Sequence, residues 1–525
     1  MFDAGQRQGH ILVQMTSMKA ESDRKSTERW DDIVNLLILI LAASAIGIWR
    51  IAAGVLISKD GVTYIELAQR FPSEPLNVIK GLFFGYPFLV YSAHELAAVF
   101  GAPSSALAWA YSAQSVTLLC RVLALIPLYF IGKLLVGARR SFWAVAVLII
   151  LPYPADFGSD ALRDWPHVLF LAVGLLFLLW GAKEGKWWMF AGAGVTAGIG
   201  HMVRPECGQL VVYGVLWILM RLAAPKPGMN RGALVGALAA LLLGFAIPAA
   251  PYMALRGEIL PEKLKEYMTA SALRESQRNH EVGIDTGSAV QSTSGLPVKT
   301  VRALGRLAGE MSDNLMYYFV PALLVGAYAR IRRQSEVSDM EKFFIPAFVF
   351  LNVLMMIMLY HQWGYISRRH CLPLTVVLIF YVPAGLEILA QRLEQRFSKD
   401  QGQNDRPSQR WFFILLAIGT GICTPKLLSP PGYDKQGYRD AAEWLRQNSG
   451  PDDVVAVPDS RISFYAERKG IVYTAEMPGG TEYIVAIVGG QDEDALSAGI
   501  GRKEFSARVE KRKKNKKRVV VYHTM

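Results

Sequence analysis

The sequence predicts a polytopic α-helical membrane protein of about eleven transmembrane helices, followed by a small soluble α/β unit. Three observations carry this. Of 525 residues, 52% are hydrophobic and only 19% charged, with mean hydropathy +0.25, too little polar surface for a soluble protein of this size. Apolar runs close to the ~20 residues that cross a hydrocarbon core recur along most of the chain. Basic residues gather in alternate connections between those runs.

The spans fall near 34–56, 105–132, 141–156, 165–182, 187–203, 206–222, 232–255, 316–330, 343–361, 371–390 and 411–425. Residues 1–33 carry Arg7, Lys19, Arg24, Lys25 and Arg29 and read as a cytoplasmic tail with no cleavable signal. Counted from there, the cytoplasmic connections are the basic ones: Lys133/Arg139/Arg140, Lys183/Lys186, Arg221/Lys226/Arg231, Arg330/Arg332/Arg333/Lys342 and Arg392/Arg396/Lys399/Arg406/Arg410. The run Leu82 to Phe100 is apolar but contains Pro87, His94 and Glu95. As a full span it would reverse this parity, so it reads as an interfacial or re-entrant element.

The outer face then collects 57–104, 156–165, the Met202 to Glu206 turn, the loop 256–315, His361 to His370 and the tail 426–525, while 34–425 forms the transmembrane domain. The 256–315 loop is polar at "GIDTGSAVQSTSG" and helix-compatible over Pro261 to Arg278. The tail alternates a helix at Asp440 to Gln447, a strand in "DVVAVP", a short helix at Ile462 to Glu467, and strands in "GIVYT", "EYIVAIVG" and "KRVVVYH". The net charge of +12 lies mainly between apolar runs and at the C-terminus, which favours membrane lipids as partners and not nucleic acid. The basic run Lys511 to Arg518 reads as a hairpin turn or a headgroup contact. Cys120, Cys207, Cys371 and Cys423 have no metal-type spacing and read as buried thiols.

The segment "SKDGVTYIELAQRF", Ser58 to Phe71, follows the first span and places Asp60 where that span ends. Tyr64, Ile65, Leu67, Ala68 and Phe71 then form an apolar stripe at helical spacing, as in a helix lying at the headgroups. Two readings of Asp60 fit equally: an N-cap, or an acid that takes a proton from a hydroxyl at headgroup level. Asp160 and Asp164, with Arg163 between them, read as a capped helix entry or as working acids. Arg204 ends a span beside Pro205 and Glu206; a guanidinium there pairs with Glu206 or holds a phosphate. His361, Tyr365, Arg368, Arg369 and His370 gather in one turn as phosphate or hydroxyl partners, or as a basic anchor. Arg121, in mid-span, reads as structural, and His94 and His201 as satisfied histidines.

Taken together, the acid before "YIELA", the "YP" of Tyr86 and Pro87, "SDALRDWPHVLFLAVGLLF", "GIGHMVRPE" and "YISRRHCLPL" follow an order and spacing similar to bacterial glycosyltransferase family 39. That group belongs to the GT-C superfamily, with protein O-mannosyltransferase-like and aminoarabinose lipid A transferase-like enzymes. The resemblance spans essentially the whole chain. It implies a GT-C type fold in a bacterial inner membrane and an enzyme using a polyprenyl phosphate sugar as co-substrate and a lipid, protein or glycan as acceptor. It implies Asp60 as the key acid, Asp160 or Asp164 as the second, and Arg163, Arg204, Arg368 and Arg369 at the donor phosphate. Tyr64, Tyr86, Glu206, His361, Tyr365 and His370 become further substrate contacts. Many members carry a second acid beside the first, where this chain has Lys59 and Gly61, which counts against a two-carboxylate metal site there and makes Asp60 a lone base; a divalent metal elsewhere stays open. The other classes are a transporter or flippase, against which no internal repeat is visible, and an envelope protein whose tail binds a partner.

Overall fold

The computed structural model describes residues 3–81, 83–224, 230–257, 296–333, 337–397, 409–474, 478–489, 501–509 and 517–524, with side chains of the first helix from residue 27 onward. Its helices are α1 Asp3–Ala53, α2 Lys59–Gln69, α3 Pro75–Gly81, α4 Gly85–Val99, α5 Ala106–Val136, α6 Ala138–Ile150, α7 Pro152–Phe157, α8 Asp164–Glu184, α9 Trp187–Val203, α10 Gln209–Ala223 and α11 Arg231–Arg256. They continue with α12 Leu296–Asn314, α13 Val320–Arg332, α14 Asp339–Trp363, α15 Leu372–Leu378, α16 Val382–Phe397, α17 Gln409–Leu428, α18 Gln436–Asn448 and α19 Ser460–Ala466.

Every expected span is occupied by helix. Eight helical stretches among the described residues are long and apolar enough to cross a membrane. The other three, α6, α9 and α13, have 13, 17 and 13 residues. The expected span 141–156 breaks at Leu151, whose extended backbone precedes Pro152. The run at 82–100 forms the 15-residue α4, shorter than a bilayer needs. The helices pack closely where side chains are small: a Cβ at Gly194 in α9 would stand 2.2 Å from the Leu241 carbonyl oxygen of α11.

The basic connections converge at one end. Lys133 meets Asp32 at 2.5 Å, Arg140 meets Glu387 at 2.7 Å, Arg330 meets Glu341 at 2.7 Å and Arg221 meets Asp339 at 3.2 Å. Asp60 lies at the other end. There, two expectations change. The last part of the 256–315 loop is the helix α12, while Pro261 to Arg278 and "GIDTGSAVQSTSG" lie outside the described residues. The apolar stripe of α2 faces protein, not headgroups: Val62, Ile65 and Ala68 are buried in a core shared with α4, α5 and the tail, and Phe71, just past the helix, is buried against Phe84, Phe88 and Tyr91.

The tail folds as expected over α18, β1 Val454–Val457, α19, β2 Lys469–Val472, β3 Tyr483–Val488 and β5 Arg518–Thr524, with β4 Gly501–Arg508 in addition. The sheet order is β2-β1-β3-β5-β4, parallel around β1 and antiparallel around β5. Of the Lys511 to Arg518 run, only Lys517 and Arg518 are described. The tail packs onto the membrane-spanning part, since Tyr438, Leu445, Ile462 and Tyr465 share the core of Leu56, Ile57 and Ile65.

Candidate active site

Asp60 sits in the first turn of α2, but it does not cap it. Ser58 does, its hydroxyl accepting from the Gly61 N–H at 3.1 Å. The Asp60 carboxylate is left to pair with Arg369 at 2.8 Å, the two side chains 47% and 32% exposed. Both line a cavity of about 600 Å³ together with Arg50, Asp160, Lys426 and Arg461.

α2 is fixed here by its close approach to the Asp160 turn. A Cβ at Gly61 would stand 2.7 Å from the Ala161 Cβ, so only glycine admits the contact. Asp160 accepts the Ser58 N–H at 2.8 Å and the Ala161 N–H at 2.7 Å. Burial pushes its carboxyl up to about 6 in spite of those two donors. Asp160 therefore holds the entry of α2, and Asp60 reaches the cavity.

Behind Arg369 lies a second, buried pair. Arg204 donates to Asp164 at 2.7 Å and faces Glu206 at 3.6 Å, with Arg204 and Asp164 side chains 11% and 6% exposed. Burial alone would lower the Arg369 pKa, but Asp164 and Asp60 together raise it above the usual arginine value. Arg163 lies over the rings of Tyr64 at 5.7 Å and Phe83 at 5.9 Å.

The remaining expected residues separate from this group. Tyr86 is a core side chain and not a cavity wall: it is fully buried, its hydroxyl donates to Ala113 O at 3.1 Å and its ring meets Tyr64 edge-on. His361 turns away to Thr300 of α12, at 3.1 Å. Arg368 stacks on Tyr153 at 4.1 Å and faces Glu310 at 3.8 Å. Tyr365 is exposed, and the His370 Nδ1 is engaged by the Ser367 hydroxyl at 3.2 Å. Arg121 finds Ile149 O at 3.1 Å and the Trp165 ring at 5.7 Å.

Several cavity residues were not singled out in the sequence. Arg50 pairs with Asp156 and donates to Leu427 O, Lys426 donates to the Tyr153 hydroxyl, and Arg461 is held by Asp459. A signal existed for two of them. Arg50 and Lys426 are cations near the span ends that the charge pattern assigns to the outside, against the usual bias. Arg461 carries no local signal.

Six cations and four carboxylates line the cavity, a balance that suits an anion. Asp60 and Asp160 could offer oxygen ligands, but Arg369 occupies one and two backbone N–H groups the other. Among the described residues no three His, Cys, Asp or Glu side chains converge as metal ligands would.

Residues 87–249 match the family described as dolichyl-phosphate-mannose-protein mannosyltransferase. A search of curated proteins finds no match. Among solved structures, the chain is similar to ArnT from Cupriavidus metallidurans bound to undecaprenyl phosphate, at 14% identity and TM-score 0.54, covering 92% of this chain and 97% of that one. It is also similar to the oligosaccharyltransferase AglB from Archaeoglobus fulgidus, in complex with an inhibitory peptide and a dolichol-phosphate. There the identity is 13% and the TM-score 0.54, over 90% of this chain and 70% of that one. At such identities the likeness is one of fold. With the family match over residues 87–249 and the multi-pass helical architecture, this likeness makes the chain similar in fold to membrane glycosyltransferases of the GT-C type.

Proposed function

We propose that the chain moves a sugar from a polyprenyl phosphate donor to an acceptor hydroxyl of a lipid, protein or glycan, on the outer face of a bacterial cytoplasmic membrane. In this reading residues 1–33 are cytoplasmic and the tail is extracytoplasmic. The observation that carries it is the half-exposed Asp60 carboxylate beside Arg369 on the wall of a cation-rich cavity. The acceptor oxygen attacks the anomeric carbon as the carbon–oxygen bond to phosphate breaks, and Asp60 takes the hydroxyl proton. Negative charge grows on the departing phosphate, and Arg369 and Lys426 meet it. Arg204 has its charge matched by Asp164 and Glu206, so the phosphate role passes from it to the cavity cations. The names of the relatives support a lipid phosphate in such a site, since ArnT is described with undecaprenyl phosphate and AglB with dolichol-phosphate.

The test is lipid mass spectrometry of cells lacking the protein and complemented with wild type or Asp60→Asn. A polyprenyl phosphate sugar should accumulate without the protein and with Asp60→Asn, and disappear with wild type. Equal lipid profiles in all three strains would refute the reading.

A further inference from the structure

The five residues that join α1 to α2 are gripped by the tail. Val55 N–H donates to Pro431 O at 3.0 Å, and Ile57 N–H to the Tyr465 hydroxyl at 3.2 Å. Arg461 Nη1 donates to Ile57 O at 3.4 Å. The same guanidinium is locked on Asp459 through two bonds of 2.8 and 2.7 Å, and Asp459 in turn faces Lys59 at 3.4 Å. Arg461 and Asp459 are 6% and 3% exposed. A buried charge pair of this kind is weak evidence for stability, because replacing both charges is often neutral. Its geometry is specific all the same, because it brackets Ile57 and Lys59, the residues on either side of the Ser58 cap. Asp160 holds Ser58 N–H from the membrane-spanning side. The first turn of α2 is thus fixed between two bodies of the molecule that lie about a hundred and about four hundred residues away in sequence.

We infer that the tail is part of the active site: Arg461, Asp459 and Tyr465 are positioning residues that set the first turn of α2 and so aim the Asp60 carboxylate at Arg369 and the cavity. The kinetic consequence rests on the transferase reading above; the structural consequence does not. A misplacement of about 1 Å in a reacting group can cost on the order of a hundredfold in rate. Loss of the clamp therefore lowers kcat roughly 10- to 100-fold, and in Tyr465→Phe, which removes no cavity cation, it leaves the donor KM nearly unchanged.

Two variants of the purified full-length protein test this. Tyr465→Phe removes one hydroxyl, and Asp459→Asn with Arg461→Gln removes both charges together and strands neither. Amide hydrogen exchange read by mass spectrometry should quicken over residues 56–62 in both variants, with β3 and β5 of the tail as protected as in wild type. Unchanged exchange over 56–62 overturns the inference, as does faster exchange with wild-type kcat on a polyprenyl phosphate sugar. If wild type transfers from no such donor, the function proposed above fails, and the exchange arm still decides whether the tail sets α2.

Discussion

Two carboxylate–arginine pairs lie at the same end of the bundle, Asp60 with Arg369 at 2.8 Å and Asp164 with Arg204 at 2.7 Å. Their chemistry is the same and their surroundings are not. Asp60 is 47% exposed and opens on the cavity, whereas Asp164 is 6% exposed and shares its arginine with Glu206. An exposed pair contributes ~0–1 kcal/mol to stability, so Asp60 is free to spend its charge on a substrate. A buried pair costs about 3–5 kcal/mol when one partner is removed, because the other charge is stranded. In the function proposed above, the comparison separates an acid placed for chemistry from one that braces the helices carrying the site, although both stand at the start of a helix in the sequence.

The largest effect that tests this separation is on turnover. Asp60→Asn should lower kcat by about 10²–10⁴-fold, the usual reach of a general base, with an unchanged melting temperature. A loss of folding in that variant would erase the distinction. Asp164→Asn should do the reverse and lower unfolding stability by about 3–5 kcal/mol, read by thermal melting in lipid nanodiscs. Adding Arg204→Gln and Glu206→Gln to it should recover part of that loss, as no member of the trio is then left with an unmatched charge. Arg369→Gln should fall between the two, with kcat down roughly 10-fold and Arg369→Lys closer to wild type.

The smallest effect is a pH dependence at Asp160. Its carboxyl is pushed up from 3.8 to about 6, so the folded chain keeps a proton that the unfolded chain has released. This group therefore favours folding most at low pH, and its contribution declines as pH rises through 6, by at most about 1.4 kcal/mol per unit. The melting temperature of wild type minus that of Asp160→Asn should fall over that window and level off above it.

The tail marks where the sequence could be read and where it could not. β3, "YIVAIV", is a continuous apolar run and was legible, but β4, "GRKEFSAR", was not. β4 is an edge strand paired only with β5, and its charged side chains face solvent, so no buried face imprints a pattern on it. Tyr86 shows the converse. The family resemblance makes Tyr86 a substrate contact, and only the packing of α4 on α5 shows that its hydroxyl is already used within the core.

By itself, the sequence determined where the long apolar helices fall, the gathering of basic connections at one end, and the presence of Asp60 and Arg369 among the candidates. A bilayer demands long apolar segments and sorted charges, and both are local patterns along the chain. The tertiary structure alone decided that Arg369, and not Arg204, meets Asp60, that α2 faces protein, and that Arg461 reaches the first turn of α2. Those outcomes depend on contacts between residues separated by about a hundred to four hundred positions, where the energy lies in packing and hydrogen-bond geometry that no local run of residues encodes.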